Sequence, residues 1–340
     1  MQREAYFDNA KLLFIFLVVF GHLIQPLKQD IAVINALYQT IYLVHMPVFI
    51  LISGFFAKGA SDKGYLLKLA KRILFPYFLF HIFYSVYFLV IGRSDWDSSL
   101  FDPHWGLWFL VSLFSWHLLL IFYKKLPPIA GISIAFTVGI LIGYVPFIGE
   151  PFSLSRTFVF FPFFLIGYWI KKEQIFYWKR DAVRWGSAII LLTVFLVSYV
   201  TPEISAQWLF GSVSYKGLDM AVYGGLVRIA LYMLAIIMVF ALLTLVPRKS
   251  YSFTHLGQQT MYVYLLHGII IQYARQANLL QLDHNLDTIG LAVISVAIVW
   301  FLSSKWVITF TEPMVEGKAD RLQIWLDERE KQYTYKEKSS

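Results

Sequence analysis

The chain has 340 residues, 58% of them hydrophobic and 15% charged, and a mean hydropathy of +0.62, which excludes an ordinary water-soluble domain. Its formal net charge of +8 comes from short basic clusters between apolar runs. That distribution is typical of membrane-protein loops and argues against nucleic-acid binding. The absence of cysteine excludes disulfides, thiolate metal ligands and an acyl-cysteine intermediate.

The apolar runs predict an all-α fold, a polytopic membrane helical bundle of about ten transmembrane helices. A hydrocarbon core about 30 Å thick needs about 20 apolar residues for each crossing. The first run has no small-residue cleavage site after it, so we interpret it as a retained span and not as a removed signal peptide. The predicted spans cover residues 9–27, 38–57, 73–92, 105–123, 129–147, 156–171, 184–201, 221–246, 258–274 and 288–310.

The orientation follows from the alternation of basic residues between loops, because short loops rich in Lys and Arg stay in the cytoplasm. One side receives clusters such as residues 58–72 and 171–184, and the other receives single charges such as Lys28, Arg93 and Arg275. An even number of spans with both termini cytoplasmic accounts for this pattern, and we expect a multi-pass protein of the inner or plasma membrane. Residues 1–315 are interpreted as one integral membrane domain. Residues 316–340 are expected to be a charged cytoplasmic tail, with a short amphipathic helix near Leu322–Trp325 and disorder after it.

The first span carries the clearest functional signal, because ionisable residues inside hydrocarbon are costly. Lys11 and His22 lie eleven residues apart, about 16 Å along a helix and close to three whole turns. Both side chains are therefore predicted to lie on one face of the helix, with the cation near the cytoplasm and the imidazole in the outer half.

The second and third spans add polar groups at matching depths. His45 lies at much the same depth as His22, so the two imidazoles are expected to meet. Ser53-Gly54 is a small pair suited to close helix contact. Lys71 and Arg72 begin the third span at the cytoplasmic mouth, where the planar guanidinium suits a phosphate.

Later spans supply residues with two competing interpretations. Trp108 lies in an aromatic segment that is typical of the interfacial belt, with stacking on a sugar ring as the alternative interpretation. Arg156 either anchors the outer end of its span by snorkelling or faces the bundle interior. His267 lies in the outer half of the ninth span, where it completes a polar centre or is satisfied by a neighbouring helix.

The other histidines carry less functional weight. His81 and His117 are interpreted as interior histidines that hydrogen-bond to a neighbouring helix. His104, His255 and His284 lie at span ends or in loops.

Several of these blocks, in this order and spacing, resemble the membrane acyltransferase-3 family, and within it the fucose 4-O-acetylase-like branch. Lys11 stands where the family more usually has arginine, which keeps the charge and weakens bidentate phosphate recognition. The resemblance covers nearly the whole chain and includes residues 7–11 with 21–22, 45–47 with 53–55, Arg72 with 76–77, 108–110, 161–168, and 257–260 with 264–267.

The resemblance implies a membrane O-acyltransferase that moves an acetyl or short acyl group from acyl-CoA to a hydroxyl of a sugar or of a surface-polysaccharide or exopolysaccharide precursor. His22 would be the general base and His45 would orient it or stabilise the oxyanion. Lys11, Lys71 and Arg72 would bind the donor phosphates. Acetyl-CoA is the expected co-substrate, with no metal. Direct transfer and an acyl-histidine intermediate both stay open.

The acceptor side would be formed by Trp108, Arg156 and His267. The partners that this function implies are the lipid bilayer, acyl-CoA and a sugar or polysaccharide, and the oligomeric state is not predicted. The alternative functions are a membrane exporter of a sugar or lipid-linked intermediate and a non-catalytic scaffold. The sequence has no matching halves, which disfavours the exporter, and a scaffold leaves the pairing of Lys11 with His22 unexplained.

Overall fold

The structure, a computed structural model, describes residues 4–29, 31–59, 64–93, 102–148, 151–280 and 284–326. Within these ranges the chain is helical and contains no strand. Its helices are α1 Ala5–Ile24, α2 Ala32–Phe56, α3 Tyr65–Val90, α4 Trp108–Tyr123, α5 Pro128–Leu141, α6 Leu154–Trp169, α7 Lys172–Tyr177, α8 Asp181–Val200, α9 Ala206–Phe210, α10 Gly224–Leu245, α11 Thr260–Gln276, α12 Asp287–Leu302 and α13 Lys305–Glu316.

Membrane-length helices confirm the predicted fold class. Among the described helices, six are long and apolar enough to cross a membrane, namely α1, α2, α3, α4, α8 and α10. The helices α5 and α6 are apolar and shorter. The first nine predicted spans each correspond to a helix, while the count of ten crossings and the cytoplasmic position of the termini stay predictions.

The tenth predicted span, residues 288–310, is wrong as a single helix. α12 ends at Leu302 and α13 begins at Lys305, and the two together form at most one broken span with a bend of 68°. The reason is local: the Ser304 side chain accepts a hydrogen bond from the backbone N–H of Val307 and starts a new helix.

The tail folds back on α13. Residues 320–326 are helical, which confirms the short helix predicted near Leu322–Trp325. Arg321 Nε lies 3.2 Å from a carboxylate oxygen of Glu312, and the ring of Trp325 packs 5.2 Å from that of Phe310. The disorder predicted beyond this helix falls on residues 327–340, outside the described residues.

The helices α2 and α6 cross at the centre of the bundle through two glycines. A Cβ added at Gly54 would overlap the carbonyl oxygen of Phe164, and one added at Gly167 would overlap that of Leu51. This confirms the close contact that the Ser53-Gly54 pair predicts. α2 is thereby held at a fixed distance from α6, which fixes the position of the polar residues that it carries.

The first turns of α1 are tied to the segment between α10 and α11 by Asn9. Its amide nitrogen donates to the carbonyls of Pro247 and Lys249 at 3.0 and 2.9 Å. Its amide oxygen accepts a 2.7 Å hydrogen bond from the Thr254 hydroxyl. The end of α1 that bears Lys11 is therefore anchored by buried polar contacts.

Candidate functional site

Three histidines from three helices meet at one end of the bundle. The ring centroid of His22 in α1 lies 6.4 Å from that of His45 in α2 and 5.6 Å from that of His267 in α11. His45 and His267 are buried, and His22 is partly exposed. The meeting of His22 with His45 was predicted, and the structure brings His267 to the same place. We call these three residues the histidine cluster.

Tyr42 holds His22 from α2. Its hydroxyl lies 3.0 Å from Nδ1 of His22, and its ring centroid is 4.6 Å from that of His45. Gly21 allows this approach, because a Cβ there would lie 3.1 Å from the side chain of Ile41. Sequence analysis missed Tyr42, although its place three residues before His45 puts both on one helix face.

The ring nitrogens of the cluster have unequal partners. Nδ1 of His45 lies 2.8 Å from the Ile41 carbonyl, and Nδ1 of His267 lies 3.0 Å from the Val263 carbonyl. A carbonyl only accepts, so in the neutral rings each Nδ1 carries the hydrogen and each Nε2 presents a lone pair. Nε2 of His267 is buried with no hydrogen-bond partner. The cluster therefore presents Nε2 atoms that can accept a proton, and that of His267 has no donor.

Trp105 packs against two residues of the cluster. Its ring centroid is 4.4 Å from that of His22 and 5.1 Å from that of His267. Its backbone has φ of 38°, a left-handed conformation that costs an L-residue free energy and is often found at functional sites. Gly268 makes room, since a Cβ there would overlap the indole and the hydroxyl of Tyr84.

A small cavity adjoins Trp105. It has an empty volume of about 220 Å³ and is lined by Tyr84, His104, Trp105, Gly106, Leu107 and Tyr264. The Tyr264 hydroxyl donates to the Gly106 carbonyl at 2.5 Å and so fixes the turn that carries Trp105.

Arg275 joins the end of α1 to α11. Its guanidinium donates to the backbone carbonyl of His22 and, at 3.0 Å, to the side-chain oxygen of Gln25. It also lies 5.9 Å from the ring centroid of Trp105, while its Nε has no hydrogen-bond partner. The sequence interpretation placed Arg275 among single loop charges, and the structure places it beside the cluster.

Lys11 occupies the opposite part of α1, as predicted. Its ammonium pairs with Asp8 at 2.9 Å and lies 5.9 Å from the ring centroid of Phe56. Because Phe56 and Tyr42 both belong to α2, Lys11 and His22 face the same neighbouring helix. The predicted common face is confirmed, and the two groups are separated by about 16 Å along α1.

The other predicted phosphate ligands are carried by a different helix from Lys11. Lys71 and Arg72 are exposed on α3. Among the loop cations expected near that end, Lys58 donates to the Ile170 carbonyl at 2.6 Å and Lys179 to the Thr244 carbonyl at 2.8 Å. These two lysines bind the carboxyl ends of α6 and α10, where carbonyls lack helical partners.

The predicted acceptor residues Trp108 and Arg156 lie beside each other. The guanidinium of Arg156 is 5.2 Å from the ring centroid of Trp108. The ring of Trp108 packs 5.6 Å from that of Phe160 in α6. Of the three predicted acceptor residues, His267 alone belongs to the histidine cluster.

Two interior histidines outside the cluster differ from each other. Nδ1 of His117 lies 3.1 Å from the Tyr65 hydroxyl, as expected of a satisfied interior histidine. That interpretation is wrong for His81, because both of its ring nitrogens are buried without a hydrogen-bond partner. Its ring stacks instead on that of His104 at 4.3 Å, and Nε2 of His104 lies 2.8 Å from the Ser85 hydroxyl.

In the described part of the chain, no group of His, Asp and Glu is arranged to hold a metal ion.

Sequence analysis also missed Arg228. It is the only basic residue in the apolar run of α10 and is 5% exposed, and a lone cation in such a run is a readable signal.

Comparison with known proteins identifies the kind of domain that carries this site. Residues 4–304 match the family model described as an acyltransferase domain. The chain is 22% identical over 329 residues to nodulation protein NolL of Mesorhizobium japonicum, an alignment that covers 87% of this chain and 85% of the relative.

A shorter match, 27% identical over 128 residues, is to nodulation protein NolL of Sinorhizobium fredii, covering 33% of this chain and 35% of that relative. No solved structure matches the chain. With its membrane-length helices, the chain belongs to the acyltransferase family that this domain defines, and it is a multi-pass membrane acyltransferase.

Proposed function

We propose that this protein transfers an acetyl or short acyl group from acyl-CoA to a hydroxyl of a sugar or of a surface-polysaccharide precursor, with His22 as the general base. The observation that carries the proposal is the histidine cluster, with ring centroids 5.6 and 6.4 Å from His22, at one end of a helix whose other end bears Lys11. The fucose 4-O-acetylase-like branch and the inner or plasma membrane belong to the same proposal.

The proton chemistry follows from the partners of the rings. For Nε2 of His22 to take a proton, Nδ1 must carry its hydrogen and donate it to the Tyr42 oxygen, which lies 3.0 Å away. Imidazole exchanges protons near neutral pH, which suits a general base. Tyr42 is then a positioning residue that selects the reactive tautomer. His45 orients the same centre or stabilises the oxyanion.

The transfer step balances without a metal. His22 takes the proton as the acceptor oxygen forms a bond to the acyl carbon, and the carbon–sulfur bond then breaks to release coenzyme A as a thiolate. The proton passes from His22 to that thiolate, which regenerates the neutral ring. The same balance holds if the acyl group rests on a histidine first, because that route only divides the transfer into two steps.

The donor and the acceptor approach from different directions in this proposal. Lys11, together with Lys71 and Arg72, would bind the phosphates of coenzyme A, and the pantetheine arm would run along α1 toward His22. Trp108, Arg156 and His267 would lie on the acceptor side. The acceptor oxygen and the thioester would meet beside Trp105. There the rings of Trp105 and Tyr42 and the buried His45 and His267 limit the access of water.

The test is a His22→Ala variant of the full chain in lipid nanodiscs, assayed with radiolabelled acetyl-CoA and candidate glycans. Loss of a general base predicts a decrease in transfer of about 10²–10⁴-fold, with coenzyme A binding unchanged. His117→Ala is the matched control, since that ring also lies near a tyrosine hydroxyl and is buried away from the cluster. Wild-type-like transfer by His22→Ala would remove the mechanism.

A second experiment tests the direction of the donor. Lys11→Ala should raise the KM for acetyl-CoA and leave the acceptor KM unchanged, because Lys11 is assigned to the phosphates. An effect confined to the acceptor KM would contradict that assignment. Mass spectrometry of surface glycans from cells with and without the protein would identify the acceptor by the added acetyl group.

A further inference from the structure

Arg228 is a buried cation whose hydrogen bonds are incomplete. It lies in the second turn of α10, a membrane-length helix, and only 5% of its surface is exposed. One terminal nitrogen donates to the Trp208 carbonyl at 3.0 Å, while Nε has no partner. A guanidinium offers five N–H donors, and the one at Nε is left unused.

The charge of Arg228 is also not neutralised by a carboxylate of the described residues. Two partly buried cations of the described residues pair with carboxylates, Lys28 with Glu203 and Lys11 with Asp8. The ion pairs formed by the described residues include none to Arg228. The guanidinium lies instead against an aromatic ring, 5.6 Å from the ring centroid of Trp208. An interior cation without a counter-ion in a membrane helix indicates a ligand that brings one.

Arg228 borders a cavity that is also lined by Tyr42, a neighbour of the histidine cluster. The cavity has an empty volume of about 330 Å³, counted out to its open mouth. Tyr42 forms part of its wall, and the hydroxyl of that residue is the group 3.0 Å from His22. The polar and aromatic lining comprises Tyr42, Phe160, Phe163, Trp208, Arg228 and Tyr232.

The ring of Phe160 joins this cavity to the predicted acceptor residues, because its other neighbour is Trp108. Tyr232 is held by its own hydrogen bond to the Val159 carbonyl at 2.7 Å, so its ring is a fixed part of the wall. Aromatic faces with one buried guanidinium suit a sugar ring that carries a negative group.

We propose that this cavity binds an acceptor that carries a phosphate or carboxylate, and that Arg228 holds the anionic group while the hydroxyl to be acylated lies beside Tyr42 and His22. The inference rests on the proposed function and names its substrate class, an anionic sugar. The phosphates of the acyl donor are a poor fit for this position, because they are assigned to Lys11, about 16 Å from His22 along α1.

The test measures binding in the absence of acyl donor, so that it does not depend on turnover. The full chain in nanodiscs of phosphatidylcholine is titrated with glucose 1-phosphate, glucuronate or neutral glucose, and binding is followed by the shift in thermal unfolding. Wild type should bind both anionic sugars in preference to glucose. Arg228→Gln should weaken the anionic sugars by about 10- to 100-fold, the range expected for lost charge-assisted hydrogen bonds, and leave glucose unchanged.

Two variants control for folding and for charge. Arg184→Gln removes a cation whose side chain is 52% exposed and should leave all three affinities unchanged. Arg228→Lys keeps the charge without the planar fork and should bind the anionic sugars with intermediate affinity. Unchanged affinity for the anionic sugars in Arg228→Gln would overturn the proposal, as would equal binding of glucose and glucuronate by wild type.

The source of the anion is separated by the lipid. In nanodiscs that contain phosphatidylglycerol, undiminished binding of glucose 1-phosphate supports an acceptor site, whereas its loss would assign Arg228 to a lipid headgroup and overturn the acceptor assignment. His22→Ala should keep the Arg228-dependent binding. If that variant also keeps full transfer, the proposed base is wrong while the anion site stands, so the two failures are distinguishable.

Discussion

Replacement of Gly167 by alanine tests the helix crossing that positions the site. The added methyl group would overlap the carbonyl oxygen of Leu51, a backbone atom that has no rotamer to escape into, so α2 and α6 must separate. Overpacking a tight interior costs about 1–3 kcal/mol, and the backbone contact puts this site near the upper end. Alanine recovers about 1 kcal/mol of helix propensity. The net expectation is a loss of about 2 kcal/mol in the free energy of unfolding.

Gly186→Ala is the matched control, since a Cβ at Gly186 in α8 meets no atom within 4 Å. That variant should be neutral or more stable by up to about 1 kcal/mol. Both free energies are measured by denaturant titration of the purified protein in one detergent, and acyl transfer is assayed in parallel. Gly167→Ala should also lose activity, because α2 carries His45. Equal stability of the two variants would refute the crossing geometry.

Three further substitutions probe single contacts. Tyr42→Phe removes the hydroxyl beside His22 and should lower kcat by up to about tenfold, as expected for one hydrogen bond of about 0.5–1.5 kcal/mol. Steady-state kinetics at saturating acetyl-CoA would measure this decrease. An unchanged kcat would contradict the positioning role of Tyr42. Asn9→Asp keeps the shape of the side chain and loses two donated hydrogen bonds, so the free energy of unfolding should fall by about 1–3 kcal/mol. A variant as stable as the wild type would mean that the amide is dispensable. Lys179→Met should lower the melting temperature, because the cation binds carbonyls at the end of α10. Lys179→Arg keeps the charge and should lower the melting temperature less. Equal melting temperatures for the two variants would contradict this.

Helix arithmetic was enough to predict part of the site. Residues eleven apart share a face in any regular α-helix, and α1 is regular from residue 5 to residue 24, so Lys11 and His22 face one neighbour as predicted. The depth of His45 followed from the antiparallel return of the second span. Such inferences need only the helical period and the thickness of a bilayer.

The rest depends on tertiary contacts that no local pattern contains. Trp105 enters the site through a left-handed backbone conformation and the space above Gly268 in a distant helix. Arg275 meets the carbonyl of His22 although 253 residues separate them. The break before α13 was hidden because Ser304 lies in a run that hydropathy averages into one span. Arg228, by contrast, was visible in the sequence as a lone charge.

The most direct test of the central claim is the position of the acyl group in a cryo-electron microscopy structure of the full chain in nanodiscs with a thioether analogue of acetyl-CoA. The account predicts that the acyl end lies beside the ring of His22, with room for an acceptor oxygen about 3–3.5 Å from the acyl carbon, and that the phosphates lie toward Lys11. Density for the acyl end away from the histidine cluster, or for the phosphates at the end of α1 that bears His22, would contradict it.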